Sequence, residues 1–270
     1  MQPQPAAKNR AHKTRLRHKR FGYFARIILN RSPGPHPSPQ RLILQPTTTH
    51  RAQGQSPVRI FVGSEAGQER AERVLIWSIL KHRDLTRAYE IHIMKDLVGF
   101  NRRLWKTGFT NYRYAIPSFA GGAGRAIYND VDQIYMADPA ELFDYPMQGS
   151  AALSVDGRDT SVLLLDCAKM AEVWPLNLAQ SGKPQHQAFR ALRDAVDLWG
   201  PLPAAWNAHD DAYRDEQTKV LHFTTLQTQP WQPFPAEFKY SRHPHADIWL
   251  DLEAEADAAG FSPLVDENSA

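Results

Sequence analysis

Asp130 and Asp132 are the residues of this 270-residue chain best suited by type and spacing to do chemistry. In extended chain, residues i and i+2 point to the same side, so two carboxylates one residue apart can converge on one divalent cation, directly or through water. Asp-x-Asp arises about once by chance in a chain of this length, so the setting matters more than the pair. Here the segment Ala126 to Phe143 (AIYNDVDQIYMADPAELF) runs an apolar strand straight into the two acids. Asp138-Pro139, followed by Glu141-Leu142-Phe143, then marks a helix start, with an acidic N-cap and proline at the first helical position.

A second segment, Lys219 to Phe234 (KVLHFTTLQTQPWQPF), carries His222 at a strand end ahead of Pro230-Trp231. Two carboxylates, one neutral imidazole and the oxygens of a diphosphate make an octahedral donor set, so His222 is a candidate third metal ligand. The competing role is a packing histidine. Cys167 is the only cysteine, which excludes an intrachain disulfide and a thiolate zinc cluster; it reads as a small buried hydrophobe at a strand end in a reducing compartment. The seven tryptophans read as core or interface residues, with Trp231 the one expected near the metal loop.

The elements that must position these residues are legible as alternating strands and helices. Val58 to Gly63 reads as the first strand, and Gln68 to His82 as a helix whose Ala71, Val74, Leu75, Ser78 and Ile79 form one apolar face. Tyr89 to Met94 follows as a strand, because apolar and polar residues alternate. Further strands are expected at Arg125 to Asn129, Ala151 to Val155, Val162 to Asp166 and Val220 to Thr224, with helices at Gln187 to Leu198 and Asp247 to Ala258. That order predicts an α/β fold with a mainly parallel sheet covered by helices on both faces, and ligands beyond the carboxyl ends of the strands.

Charge divides the chain. Residues 1–64 carry twelve Lys/Arg and no acid, leaving 20 Lys/Arg against 29 Asp/Glu, a net −9, for the rest. Lys8 to Arg31 is basic with Phe21, Tyr23, Phe24, Ile27 and Ile28 interleaved, which suits anionic lipid at the inner membrane face better than nucleic acid. Ser32 to Pro57 is rich in Pro, Thr and Gln and lacks the apolar surface to fold alone. We therefore expect a disordered extension over 1–56, one folded domain over 57–262 beginning at Val58, and a flexible tail over 263–270. No apolar run approaches the roughly 20 residues that span a bilayer, and the expected location is the cytoplasm.

Taken in order, these segments resemble the retaining glycosyltransferases of family 8, the group of glycogenin and the bacterial lipopolysaccharide galactosyltransferases. Phe61-Val62-Gly63-Ser64 stands where that family has its nucleoside-holding strand, and Tyr112 to Pro117 (YRYAIP) where it has an Arg-containing segment, Arg113 lying seventeen residues ahead of Asp130. Asp159 to Asp166 (DTSVLLLD), Leu202 to Asn207 (LPAAWN) and His222-Phe223-Thr224 follow, so the resemblance covers roughly Val58 to Phe234. Two departures stand out: Asp159-Thr160-Ser161 replaces Asn-x-Gly, and Gln229 replaces the lysine before Pro-Trp. Losing that lysine removes a positive charge from beside the leaving diphosphate and leaves Arg113 or Arg125 to compensate. The family's Gln-Asp segment has only Gln185 and Gln187 as nearby candidates.

The resemblance implies a GT-A type Rossmann-like fold and a metal-dependent, retaining transfer of a hexose from a UDP-sugar to a glycan, lipid-linked sugar or protein acceptor. Mn²⁺ or Mg²⁺ would be held by Asp130, Asp132 and His222 and bridge the two phosphates. Arg113 would pair with the same diphosphate, Phe61, Val62, Gly63, Val131 and Gln229 would line the nucleotide site, and Asp159 would face the donor sugar as a catalytic residue beside Arg113. Asn207 would shape the acceptor side or cap a loop. Nucleotidyl transfer would call for a glycine-rich basic loop, whereas Gly63-Ser64-Glu65-Ala66-Gly67 places an acid where triphosphate would sit. A non-catalytic binding protein would explain the missing lysine but gives no chemical reason for Asp130, Asp132, His222 and Arg113 to occur together.

Overall fold

Ile60, Phe61 and Val62 are buried in succession along β2 (Val58–Gly63), which happens only when both faces of a strand are covered. The computed structural model describes residues 36–47, 55–102, 105, 107–181 and 198–263. Its larger sheet has the order β1-β3-β2-β4-β7-β6-β8, with β1 at Gln40–Leu44, β3 at Tyr89–Met94, β4 at Arg125–Asp130, β6 at Ala152–Ser154, β7 at Val162–Asp166 and β8 at Trp199–Pro201. A smaller sheet has the order β5-β10-β9, from Gln133–Tyr135, Val220–His222 and Ala208–His209. The helices are α1 (Glu69–His82), α2 (Ile116–Phe119), α3 (Pro139–Phe143), α4 (Cys167–Val173), α5 (Leu176–Gln180) and α6 (Ala246–Ala258).

The fold is α/β and Rossmann-like, but the large sheet is mixed. β3, β2 and β4 form its parallel heart, whereas β7 runs antiparallel to both β4 and β6. The reason is the connection: β6 enters β7 through the short segment 155–161, which can only turn the chain back on itself.

The sheet also begins before the expected Val58. β1 pairs antiparallel with β3, from Gln40↔Ile93 to Leu44↔Tyr89, and His36 bridges Leu97. Of β1 only Leu44 is buried, so the strand is held by the open backbone edge of β3 rather than by apolar content, and composition alone does not reveal it. Residues 1–35 and 48–54 of the expected extension, the basic Lys8 to Arg31, most of the expected helix at Gln187 to Leu198, Gln185 and the last seven residues lie outside the described residues.

α1 buries the expected face, Ala71, Val74, Leu75, Ser78 and Ile79, with Ile76 beside it. Ser78 Oγ accepts from the Tyr135 amide at 2.9 Å, tying α1 to β5 just after the Asp130–Asp132 turn. α6 packs on α1, burying Trp249 and Leu252 and aligning Arg70 with Glu253 at 2.6 Å. Asp138 caps α3 by accepting from the Ala140 amide at 2.8 Å, as the Asp-Pro pair predicts. Among the described residues no helix is long and apolar enough to cross a membrane.

Gly63 closes β2 where two aromatic rings converge. A Cβ there would lie 2.4 Å from Tyr128 Oη and 2.8 Å from a Phe109 ring carbon. Gly63→Ala is therefore expected to destabilise the protein by about 1–3 kcal/mol through overpacking, read as a lower urea midpoint at unchanged slope. An unchanged midpoint would mean the two rings yield freely.

Candidate active site

Asp130 ends β4 and Asp132 lies in the turn that carries the chain into β5, so the two acids sit where the chain passes from one sheet to the other. They converge through this turn and its pairing, not through strand alternation alone. The Asp130 amide donates to Ser161 O at 3.0 Å, the Val131 amide to Gly63 O at 3.1 Å and the Phe223 amide to Asp132 O at 2.9 Å. Next to this turn, His222 closes β10 opposite Gln133 on one side and His209 on the other.

One ligand atom each from Asp130, Asp132 and His222 lie within 4.8 Å of one another. Cation bonds to oxygen and nitrogen of about 2.0–2.6 Å fit that separation. The donor chemistry, two carboxylates and an imidazole, suits a divalent cation with positions left open for further ligands. These three residues could hold a divalent cation.

Asp130 Oδ1 accepts from Arg113 Nη2 at 2.8 Å and from the Tyr128 hydroxyl. Burial pushes the Asp130 carboxyl above its ordinary range, Arg113 opposes that shift and Asp132 adds to it. The Arg113 guanidinium lies 4.6 Å above the Tyr128 ring and spends its other donors on Thr110 O at 2.9 Å, Thr160 O at 2.6 Å and Thr160 Oγ1 at 2.8 Å. Among the described residues four of its five N–H groups are engaged, so Arg113 is first a brace for Asp130.

Asp132 is held from two sides, by His222 Nε2 at 3.1 Å and by Gln229 Nε2 at 3.2 Å. The same Gln229 nitrogen donates to Phe223 O at 2.9 Å, while the buried Gln229 Oε1 has no hydrogen-bond partner among the described residues. Gln229 thus restrains the Asp132 carboxylate without adding charge. For His222, burial works against the charged ring, but Asp132, with Asp130 and Asp159, outweighs it and raises the imidazole's affinity for protons.

Asp159 lies one layer further from the acids. Its Oδ1 accepts from the Ser161 amide at 2.9 Å and Ser161 Oγ at 2.5 Å, and its Oδ2 from Asn207 Nδ2 at 2.8 Å and His209 Nε2 at 2.9 Å. Burial raises the carboxyl's pKa, but the bonds from His209 and Ser161 more than offset it, so Asp159 stays ionised well below the usual range. A carboxylate offers about four lone-pair directions, and here all are engaged.

Several expectations change in this setting. Phe61, Val62 and Val131 are buried, and Phe61 stacks on His92 at 4.4 Å, so only their backbone groups can serve a nucleotide. Arg125 cannot compensate for the missing lysine: it starts β4, at the end opposite Asp130, and donates to Phe143 O and Tyr145 O. Trp231 does lie beneath the metal loop, 5.9 Å from the Phe223 ring and bonded through Nε1 to Gln68 Oε1 at 2.7 Å. Cys167 is buried at the start of α4, its thiol pushed up to about 12 by burial. Tyr128 and His209 were not foreseen. Tyr128 was legible as the residue two before Asp130 on the same strand face, whereas His209 meets His222 only through β9–β10 pairing.

No protein-family model matches this sequence, and no curated protein matches it. Solved structures do. The glycosyltransferase GlyE of Streptococcus pneumoniae TIGR4 is similar over 79% of this chain and 67% of its own, with 14% identity and a TM-score of 0.53. The bifunctional glycosyltransferase WbbM is similar over 77% of this chain, with 13% identity and a TM-score of 0.50; the chain spans 53% of WbbM. At such identities the likeness is one of fold. The chain shares its α/β fold with these two glycosyltransferases, in keeping with the fold that the family-8 resemblance implies.

Proposed function

We propose that this protein is a metal-dependent glycosyltransferase that moves a hexose from a UDP-sugar to an acceptor hydroxyl with retention at the transferred carbon. The observation that carries the proposal is the convergence of Asp130, Asp132 and His222 at the carboxyl end of β4, where ligands of open α/β sheets gather. When bound there, Mn²⁺ or Mg²⁺ supplies Lewis-acid stabilisation of the charge that builds on the departing UDP.

The chain's own residues supply position. Arg113 and Tyr128 fix Asp130, while His222 and Gln229 fix Asp132, so both carboxylates are aimed before any ligand arrives. Arg113 also brings a permanent positive charge beside the site, with one N–H that has no partner among the described residues and could meet a phosphate oxygen. At the end of β2, Gly63 makes room for the Tyr128 hydroxyl that braces Asp130. Asp159, its lone pairs taken, acts as a positioning residue for Asn207 and His209 rather than as a nucleophile, in keeping with a front-face mechanism that requires none.

Thermal unfolding with UDP and a panel of UDP-sugars, in Mn²⁺ and in EDTA, tests the reading. At a hundred times its dissociation constant, UDP with Mn²⁺ should add about 2.7 kcal/mol, a shift of about 5–10 °C. Asp130→Asn and Asp132→Asn should each abolish the metal-dependent part. No metal-dependent shift with any nucleotide would overturn the proposal. Arg113→Lys keeps the charge but loses the fork to Thr160, so it should destabilise the fold by about 1.5–3 kcal/mol in urea and weaken the Mn²⁺-dependent shift; wild-type behaviour would remove Arg113 from the site's architecture.

A further inference from the structure

We infer that Asn207 is a positioning residue that decides which nitrogen of His222 faces the cation, an inference that rests on the metal reading above. His222 is buried between two partners: Nε2 lies 3.1 Å from Asp132 Oδ1, and Nδ1 lies 2.9 Å from Asn207 Oδ1. The direction of the Asn207 amide is not free. Asp159 is ionised and can only accept, so the Asn207 group 2.8 Å from its Oδ2 must be the NH₂. The other end of the amide, an oxygen that can only accept, is then the atom facing His222. Nδ1 must therefore carry a proton, so a cation that displaces the proton shared between Nε2 and Asp132 meets the Nε2 lone pair.

Asp159 cannot turn to reverse this order, because the Ser161 amide and hydroxyl hold one of its oxygens and His209 shares the other. The backbone of Asn207 is fixed as well. It ends the short 3₁₀ segment Ala204–Asn207, which packs on β10 with Trp206 buried and Ala205 O accepting from the Lys219 amide at 2.8 Å. Without Asn207, the remaining neighbour of Nδ1 is Ser161 Oγ at 3.4 Å. Its one proton is already donated to Asp159 Oδ1, so it offers Nδ1 only a long, weak acceptor in place of the Asn207 oxygen. Histidines that bind metals almost always donate the distal ring N–H to such a partner, and removing it lowers affinity about 10–100-fold.

Two measurements test the assignment. In the wild-type protein loaded with Mg²⁺, long-range ¹H–¹⁵N spectra of labelled histidine, assigned by loss of signal in His222→Ala, should show Nδ1 protonated and Nε2 bare. A ring protonated at Nε2 would overturn the assignment. Calorimetric titration with Mn²⁺ alone should show about 10–100-fold weaker binding by Asn207→Ala. The double variant Asn207→Ala/His222→Ala should bind no more weakly than His222→Ala, because Asn207 acts through His222. Unchanged affinity in Asn207→Ala with loss in His222→Ala, or losses that multiply in the double variant, would sink the Asn207 assignment while sparing the metal site. Absence of Mn²⁺ binding by the wild type would sink the metal reading and this inference with it.

Discussion

The passage of the chain between two sheets at Asp130-Val131-Asp132 is the constraint on which the rest of the site depends. Three backbone hydrogen bonds, to Gly63, to Ser161 and from Phe223, pin that turn to β2, to the start of β7 and to the end of β10. Each bond joins elements remote in sequence, so the acids keep their geometry only while both sheets are assembled. Burial of β2 and β4 on both faces supplies the rigidity, and α1 carries it across to β5 through Ser78.

Electrostatics then make the same place expectant of a cation. Asp130, Asp132 and Asp159 crowd into a largely dry corner with Arg113, among the described residues, as their permanently charged partner and His222 as a titrating one. Burying carboxylates is costly unless they are paired or coordinate a metal. The polar chain from Asp132 through His222 and Asn207 to Asp159 and His209 is bonded at every link, which gives it one preferred arrangement. Gln229 in place of lysine fits this balance: its amide adds a donor to Asp132 without adding a charge.

Much of this was legible in the sequence, for identifiable reasons. β2, β3 and β7 were readable at their actual bounds because buried strands write continuous or alternating apolar runs, and Asp130, Asp132 and His222 because each sits where such a run ends. β1 was hidden because its stability comes from β3's edge, not from its own side chains. The antiparallel entry of β7 depends on a loop's length rather than on any residue. Arg113 was legible as a candidate site residue but not as a brace, since its anchoring on Thr110 and Thr160 behind Asp130 is a set of contacts that sequence spacing does not reveal. Asp159, likewise, read as a sugar-facing acid until its four donors were located.

The central claim is that Asp130, Asp132 and His222 share one cation. Crystals grown with Mn²⁺ and UDP, measured on both sides of the manganese absorption edge, test it directly. The account predicts a single anomalous peak within about 2.0–2.6 Å of a carboxylate oxygen from each aspartate and of His222 Nε2, with diphosphate oxygens completing the shell. A peak elsewhere, or a nucleotide bound with these three residues still paired only to one another, would contradict it.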